Sequence, residues 1–226
     1  MIVWINGAFG AGKTQVSHEL LRRLDRGWIS DPEPLGFAIQ GMQPPAARLD
    51  FQDEPLWRSG IREVLGRLDR QQVGTAPVAA ASAQDGQAQD DPAEEAVTEP
   101  LIIVPMTLVQ KAYFDEIVGV LRTDGHDVRH FALQASRATL LHRLRRRGLF
   151  VRGLRRDQWA VEQIERCSAA LVSPGFEVGI ATDELSIAGV VEAIAAQIGL
   201  PLVRPLEARP RGLIRNLGVQ VRHLRW

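Results

Sequence analysis

The stretch "GAFGAGKT", Gly7 to Thr14, follows the apolar run Ile2-Val3-Trp4-Ile5, and its reading decides the fold. The pattern is G-x-x-x-x-G-K-[ST]. Such a loop needs glycine where the backbone turns with positive φ and approaches phosphate oxygens closely. Gly7, Gly10 and Gly12 stand at those places. The exposed N–H groups of the loop and the first turn of a following helix together form an anion nest. Lys13 is then placed to reach the β- and γ-phosphates, and the Thr14 hydroxyl to ligate Mg²⁺. The expected ATP site is therefore Gly7, Ala8, Phe9, Gly10, Ala11, Gly12, Lys13, Thr14 and Gln15.

The motif needs a strand before it and a helix after it, and the flanks supply both. Ile2 to Ile5 is a short, β-branched run suited to a buried parallel strand. Beyond the loop, Val16, Leu20, Leu21 and Leu24 fall on one helical face, with Glu19 and Arg23 expected as a surface pair. Of 27 Lys plus Arg, only Lys13 and Lys111 are Lys. A chain that writes nearly every cation as Arg wrote Lys in the loop, where a compact point charge suits phosphate.

The rest of the chain alternates strand and helix. Trp28-Ile29-Ser30 reads as a strand stopped by Asp31-Pro32-Glu33-Pro34. Residues 36–47 and 54–72 read as helices, the second carrying Leu56, Ile61, Leu65 and Leu68 on its apolar face. Residues 74–99 are rich in Ala, Gln, Asp, Glu, Gly and Pro without an aromatic, the signature of a solvated, poorly ordered insertion. Leu101 to Met106 is the clearest buried strand. Residues 108–123, 136–147, 157–172 and 186–198 read as helices, with strands at 128–133 and 178–181. The expected fold class is α/β: a P-loop, nucleotide-kinase-like, three-layer fold with a parallel central sheet and helices on both faces.

With 226 residues, 45% of them hydrophobic, the chain can bury one substantial core. The expected domain covers 1–200, followed by a basic amphipathic tail at 201–226. Net charge is zero, with 27 acids against 27 bases, which argues against a general nucleic-acid binder. Cys167 is the single cysteine, so no intrachain disulfide forms, and its bland reading is a buried small hydrophobe. The N-terminus reads as strand rather than signal peptide, no apolar run spans a membrane, and the expected location is cytoplasmic. The five histidines share no metal-ligand spacing.

The segments "MIVWINGAFGAGKTQ", "DPEPLGFAIQ", "PLWR", "LIIVPMTLV", "YFDEIVGVLR", "WAVEQIERC" and "ATDELSI", in this order, resemble the tunicamycin-resistance proteins, a branch of the P-loop small-molecule kinase-like proteins. The likeness runs from residue 1 to about 200 and is interrupted by 74–99. It implies ATP and Mg²⁺ as cofactors and phosphoryl transfer to a hydroxyl of tunicamycin, an acylated uridine-containing antibiotic, or of a related nucleoside-like molecule. The alternatives are ATP-dependent sequestration of the drug without turnover, and a metabolite kinase with an unrelated acceptor.

In kinases that this fold resembles, an acid after the second strand assists the acceptor hydroxyl or the metal's waters. Asp31 is the candidate here, with Glu33 beside it, the other reading being a turn or cap acid before Pro32. The 101–106 strand carries no carboxylate. "LHRLRRRGLFVRGLRR" resembles the Arg-bearing helix and lid of nucleotide kinases, over about 143–157, and Arg143 and Arg147 share a face. The alternative is a solvated basic face. Gln163, Arg166 and Arg58 are candidate acceptor contacts, while Trp57 is either a stacking plane or core. Thr182 and Asp183 stand where related kinases pass beside adenine, and Asp183 has a second reading as the cap of the next helix. The Arg-rich tail, Arg204 to Trp226, suits an anionic membrane surface on the inner face, packing onto the domain, or a dimer contact.

Overall fold

The computed structural model describes residues 1–71, 101–148, 154–176 and 178–206. The 74–99 insertion, most of the tail, Arg152 and the side chain of Arg147 lie outside the described residues. The elements are β1 (Ile2–Gly7), α1 (Lys13–Leu24), β2 (Trp28–Ile29), α2 (Glu33–Gly41) and α3 (Pro55–Arg70). After these come β3 (Ile102–Pro105), α4 (Lys111–Phe114), α5 (Val120–Thr123), β4 (Val128–Gln134), α6 (Arg137–Gly148), α7 (Leu154–Leu171), β5 (Gly179–Ala181) and α8 (Ile187–Ile198). A π-turn, Asp115–Gly119, joins α4 to α5.

The strands form a five-stranded sheet in the order β2-β3-β1-β4-β5, and every pairing is parallel. The central strand β1 is buried along its whole length, and its side chains alternate between two cores. Val3 and Ile5 face one, with Ile103, Phe131, Leu133, Val16, Leu20, Leu140, Leu144, Ile164 and Val191. Ile2 and Trp4 face the other, with Ile102, Val104, Trp57, Ile61, Leu65, Ile117 and Leu121. Helices α1, α6, α7 and α8 therefore cover one face and α3 to α5 the other, the three-layer arrangement expected from the alternation.

Several local expectations need correction. The prolines at 32 and 34 begin α2 rather than ending regular structure: Pro32 is the N-cap and Pro34 lies in the first turn, where a missing N–H removes no helical bond. α2 ends at Gly41, well short of residue 47. Leu56 is 66% exposed, whereas Ile61 and Leu65 are buried; at the second position of α3 its side chain precedes the stripe that faces the sheet. Glu19 and Arg23 do not pair with each other. Glu19 takes Arg22, with Oε1 accepting at 2.7 Å, and the buried Arg23 crosses to Glu192 of α8 at 2.9 Å. The (i, i+4) pattern is right for a free helix, but α8 packs against that face and recruits the cation.

Candidate active site

The phosphate loop joins the central strand to α1. Gly10 and Gly12 have φ of +85° and +97°, conformations that a side chain strains, and Gly12 is the N-cap of α1. No side chain caps that end, so the first-turn N–H groups of Lys13, Thr14 and Gln15 face outward from the helix as a phosphate cradle requires. A Cβ on Gly7 would lie 3.0 Å from Ala11 Cβ and 3.1 Å from the Leu133 carbonyl, so the loop closes only around glycine there. Lys13 Nζ donates to the carbonyls of Gly7 at 2.9 Å and Ala8 at 3.3 Å, and lies over the Phe9 ring. The half-buried Thr14 begins α1 beside it.

What holds the loop in this shape comes from other strands. Asn6, fully buried at the end of β1, accepts from the N–H groups of Gly7 (2.8 Å) and Leu108 (3.0 Å) and donates to the Leu108 carbonyl at 2.7 Å. Thr107, just beyond β3, donates its hydroxyl to the Gly7 carbonyl at 2.9 Å. Sequence reasoning missed both residues. A polar side chain closing an otherwise apolar strand was the available signal, since a buried amide persists only with its bonds satisfied.

Arg143 reaches from α6 to the far side of the loop. Its guanidinium donates to Thr182 Oγ1 at 3.1 Å, to the Thr182 carbonyl at 2.6 Å and to the Ala11 carbonyl at 3.5 Å. Burial lowers its pKa, partly offset by Asp183. Arg143 thus ties the loop to the end of β5, and its described contacts are backbone and hydroxyl oxygens rather than open solvent. Arg145 and Arg146 are exposed. Asp183 caps the start of α6, not of α8: its carboxylate accepts from Ser136 N (3.0 Å) and Oγ (2.8 Å). Hydrogen bonds from Thr139 and Ser136 hold that carboxyl below its usual range. Ser136 precedes α6 in space and sequence, while Ser186 caps α8 through Gly189 N.

On the opposite flank, Asp31 is half-buried after β2 and its Oδ1 accepts from Glu33 N at 3.0 Å, opening α2. Trp57 is fully buried, and its indole N–H donates to the Pro32 carbonyl at 3.0 Å, so it is core and not a stacking plane. Arg58 is also buried: it pairs with Glu116, donates to the Gln52 carbonyl at 2.6 Å and stacks on Tyr113 with 4.2 Å to the ring centre. The hydroxyl of Tyr113 donates to Asp53 at 2.8 Å, and that bond raises its pKa. On α7, Gln163 is half-buried and Arg166 exposed, with Ile164 and Cys167 turned into the core.

Among the described residues no group of three His, Cys, Asp or Glu is gathered to hold a metal ion. The donors present fit Mg²⁺ that arrives on a nucleotide, with the Thr14 hydroxyl beside a cradle that only glycine leaves open. No described helix is long and apolar enough to cross a membrane.

A family profile described as an AAA domain matches residues 2–166. The structure is similar to that of the tunicamycin resistance protein of Deinococcus radiodurans, at 29% identity and a TM-score of 0.65, covering 90% of this chain and 98% of that one. It shares its fold with a gluconokinase of Sinorhizobium meliloti, at 14% identity and a TM-score of 0.54, covering 87% and 90%. It also shares the fold of Chaetomium thermophilum Kti12 in complex with ADP-AlF3, at 11% identity and a TM-score of 0.52, covering 91% and 100%. No curated protein sequence matches the chain.

Proposed function

The chain belongs to the AAA-domain family matched by its residues 2–166, and from that premise we propose that it is an ATP-dependent phosphotransferase. Its acceptor, in this reading, is a hydroxyl of tunicamycin or a related nucleoside-like small molecule. The observation that carries the proposal is the glycine-only cradle at the end of the central strand, with Lys13 and Thr14 at its mouth. The likeness to a tunicamycin resistance protein over nearly the whole of both chains supports the acceptor class.

Lys13 leaves the Gly7 and Ala8 carbonyls and turns to the β- and γ-phosphates when nucleotide enters, while the N–H groups of the loop and of α1 receive phosphate oxygens. Mg²⁺ bound through Thr14 and the phosphates would neutralise charge on the transferring group. Asp31 stands at the carboxyl edge of the sheet, where it would activate the acceptor hydroxyl. Arg143 ties the loop to the end of β5 through Ala11 and Thr182, and it would act with Gln163, Arg166 and Arg147 on the phosphates and the acceptor from α6 and α7. The start of the tail packs on α1, where the N–H groups of Val203 and Arg204 donate to the Arg23 carbonyl and Arg204 pairs with Asp25 at 2.5 Å, and the Arg-rich residues beyond it would serve as a contact with an anionic membrane surface or a second copy.

The test is ADP release from Mg·ATP with and without tunicamycin, with mass spectrometry of the drug and Lys13→Ala as control. Drug-stimulated release and an added phosphate mass, both lost in Lys13→Ala, are expected. ATP binding with neither outcome refutes the enzyme and favours ATP-dependent sequestration of the drug. One observation supports that second reading: beyond β3 the chain places Thr107, not a carboxylate, on the loop.

A further inference from the structure

We propose that Thr107 is the positioning residue that lets Lys13 leave the loop for nucleotide; the inference rests on the nucleotide-binding half of the reading above. Lys13 Nζ donates to the carbonyls of Gly7 and Ala8, at 2.9 and 3.3 Å. To reach phosphate it must give both up. A buried carbonyl left without a donor is costly, so each of the two needs a second donor that stays behind. Both have one. The Ala8 carbonyl accepts from Ala11 N across the loop at 3.1 Å, and the Gly7 carbonyl accepts from Thr107 Oγ1 at 2.9 Å. With two lone pairs, a carbonyl oxygen can hold Lys13 and its permanent donor at once.

The Ala11 N–H belongs to the loop itself, whereas the Thr107 hydroxyl comes from 100 positions further along the chain. Its place follows from where the sheet stops. β1 and β3 pair in register from Ile2 opposite Ile102 to Ile5 opposite Pro105. Ile102 N donates to the Met1 carbonyl and Met106 N to the Ile5 carbonyl, so the same step carried on would bring Leu108 N to the Gly7 carbonyl. That N–H goes instead to Asn6 Oδ1 at 3.0 Å. The Thr107 side chain thus takes the place of the missing backbone rung. Gly7 is buried and Thr107 only 8% exposed, which makes water a poor substitute there.

The residue type fits the duty. A carboxylate at 107 would have no proton for the carbonyl, and its charge would hold Lys13 back. A hydroxyl supplies the bond without the charge. Removing that hydroxyl should therefore cost little while Lys13 serves the Gly7 carbonyl, and cost fully once Lys13 is on phosphate.

The experiment crosses Thr107→Val, which removes the hydroxyl and nearly keeps the shape, with Lys13→Ala in the full chain. Thermal unfolding is read without nucleotide, and ADP affinity by calorimetry. With Lys13 present, Thr107→Val should weaken ADP binding by about tenfold, and Thr107→Ser should restore it. Without nucleotide, Thr107→Val should lower Tm by about 2–4 °C more in Lys13→Ala than with Lys13 present, because only there does it orphan the Gly7 carbonyl. An equal Tm loss in both backgrounds with unchanged ADP affinity means that Thr107 is merely structural, and overturns this inference alone. So does a Thr107→Val protein too unstable to purify while Lys13 is in place. Wild-type protein that binds no ADP overturns the nucleotide reading and this inference with it.

Discussion

Replacing Gly36 by Ala separates fold from function more sharply than any loop mutation. The position is inside α2 and has ordinary helical φ, so alanine by itself should stabilise the helix by about 0.5–1 kcal/mol. The opposing effect is steric. A Cβ there meets Phe51 Cγ at 2.4 Å, Cδ2 at 2.5 Å and Cδ1 at 2.9 Å, so the ring must withdraw by roughly 1 Å to reach ordinary contact. Overpacking of this kind costs about 1–3 kcal/mol, which outweighs the propensity gain. A net loss of about 1–2 kcal/mol, or roughly 2–8 °C in Tm, is expected. The ring cannot retreat alone, because Phe51 begins the turn that Asp50 caps and Gln52 ties to Thr107. A misplacement of about 1 Å at the edge of a site costs on the order of 100-fold in rate. Thermal unfolding, ADP affinity and ADP release should therefore show a slightly less stable protein with normal nucleotide binding and crippled turnover. A Gly36→Ala protein that is more stable and fully active would refute the reasoning, since it would mean that Phe51 moves freely of the turn that Gln52 ties to Thr107.

Three further outcomes follow from the same contacts. Asn6→Ala removes the buried partner of Gly7 N, Leu108 N and the Leu108 carbonyl; urea unfolding should show a loss of about 2–4 kcal/mol, and weaker ATP binding should accompany it. Arg143→Lys keeps the charge but cannot bridge Ala11 and both Thr182 oxygens with one ammonium; ADP affinity should fall several-fold while the fold persists, as calorimetry and circular dichroism will show. Asp69 is the third. Burial acts to raise its pKa, but bonds from the Met1 ammonium (2.8 Å) and His126 (2.7 Å) prevail and lower it from the ordinary 3.8. A depressed acid stabilises the fold above its unfolded value and loses that contribution as pH falls through the folded one. The Tm gap between wild type and Asp69→Asn should accordingly be full at neutral pH and close below pH 3.8; a gap independent of pH would contradict the assignment.

The sequence by itself determined the phosphate loop, the alternation of strand and helix, and the parallel sheet. Each is written in neighbouring residues: glycine at Gly10 and Gly12 for positive φ, unbroken apolar runs at 2–5 and 101–104 for strands buried on both faces, helical spacing at Val16 and Leu20. Local chemistry also misled where a distant element intervened, as when α8 took Arg23 from Glu19 and when Asp183 capped α6 instead of the helix that follows it. Tertiary structure alone decided which polar residues meet. Asn6 reaches Leu108, Thr107 reaches Gly7, and Gln52 reaches Thr107. These partners lie far apart along the chain, so no periodicity or spacing encodes them. They meet because three parallel strands end at one edge of the sheet, and a buried donor or acceptor there must find its partner on whatever strand the topology has placed next to it.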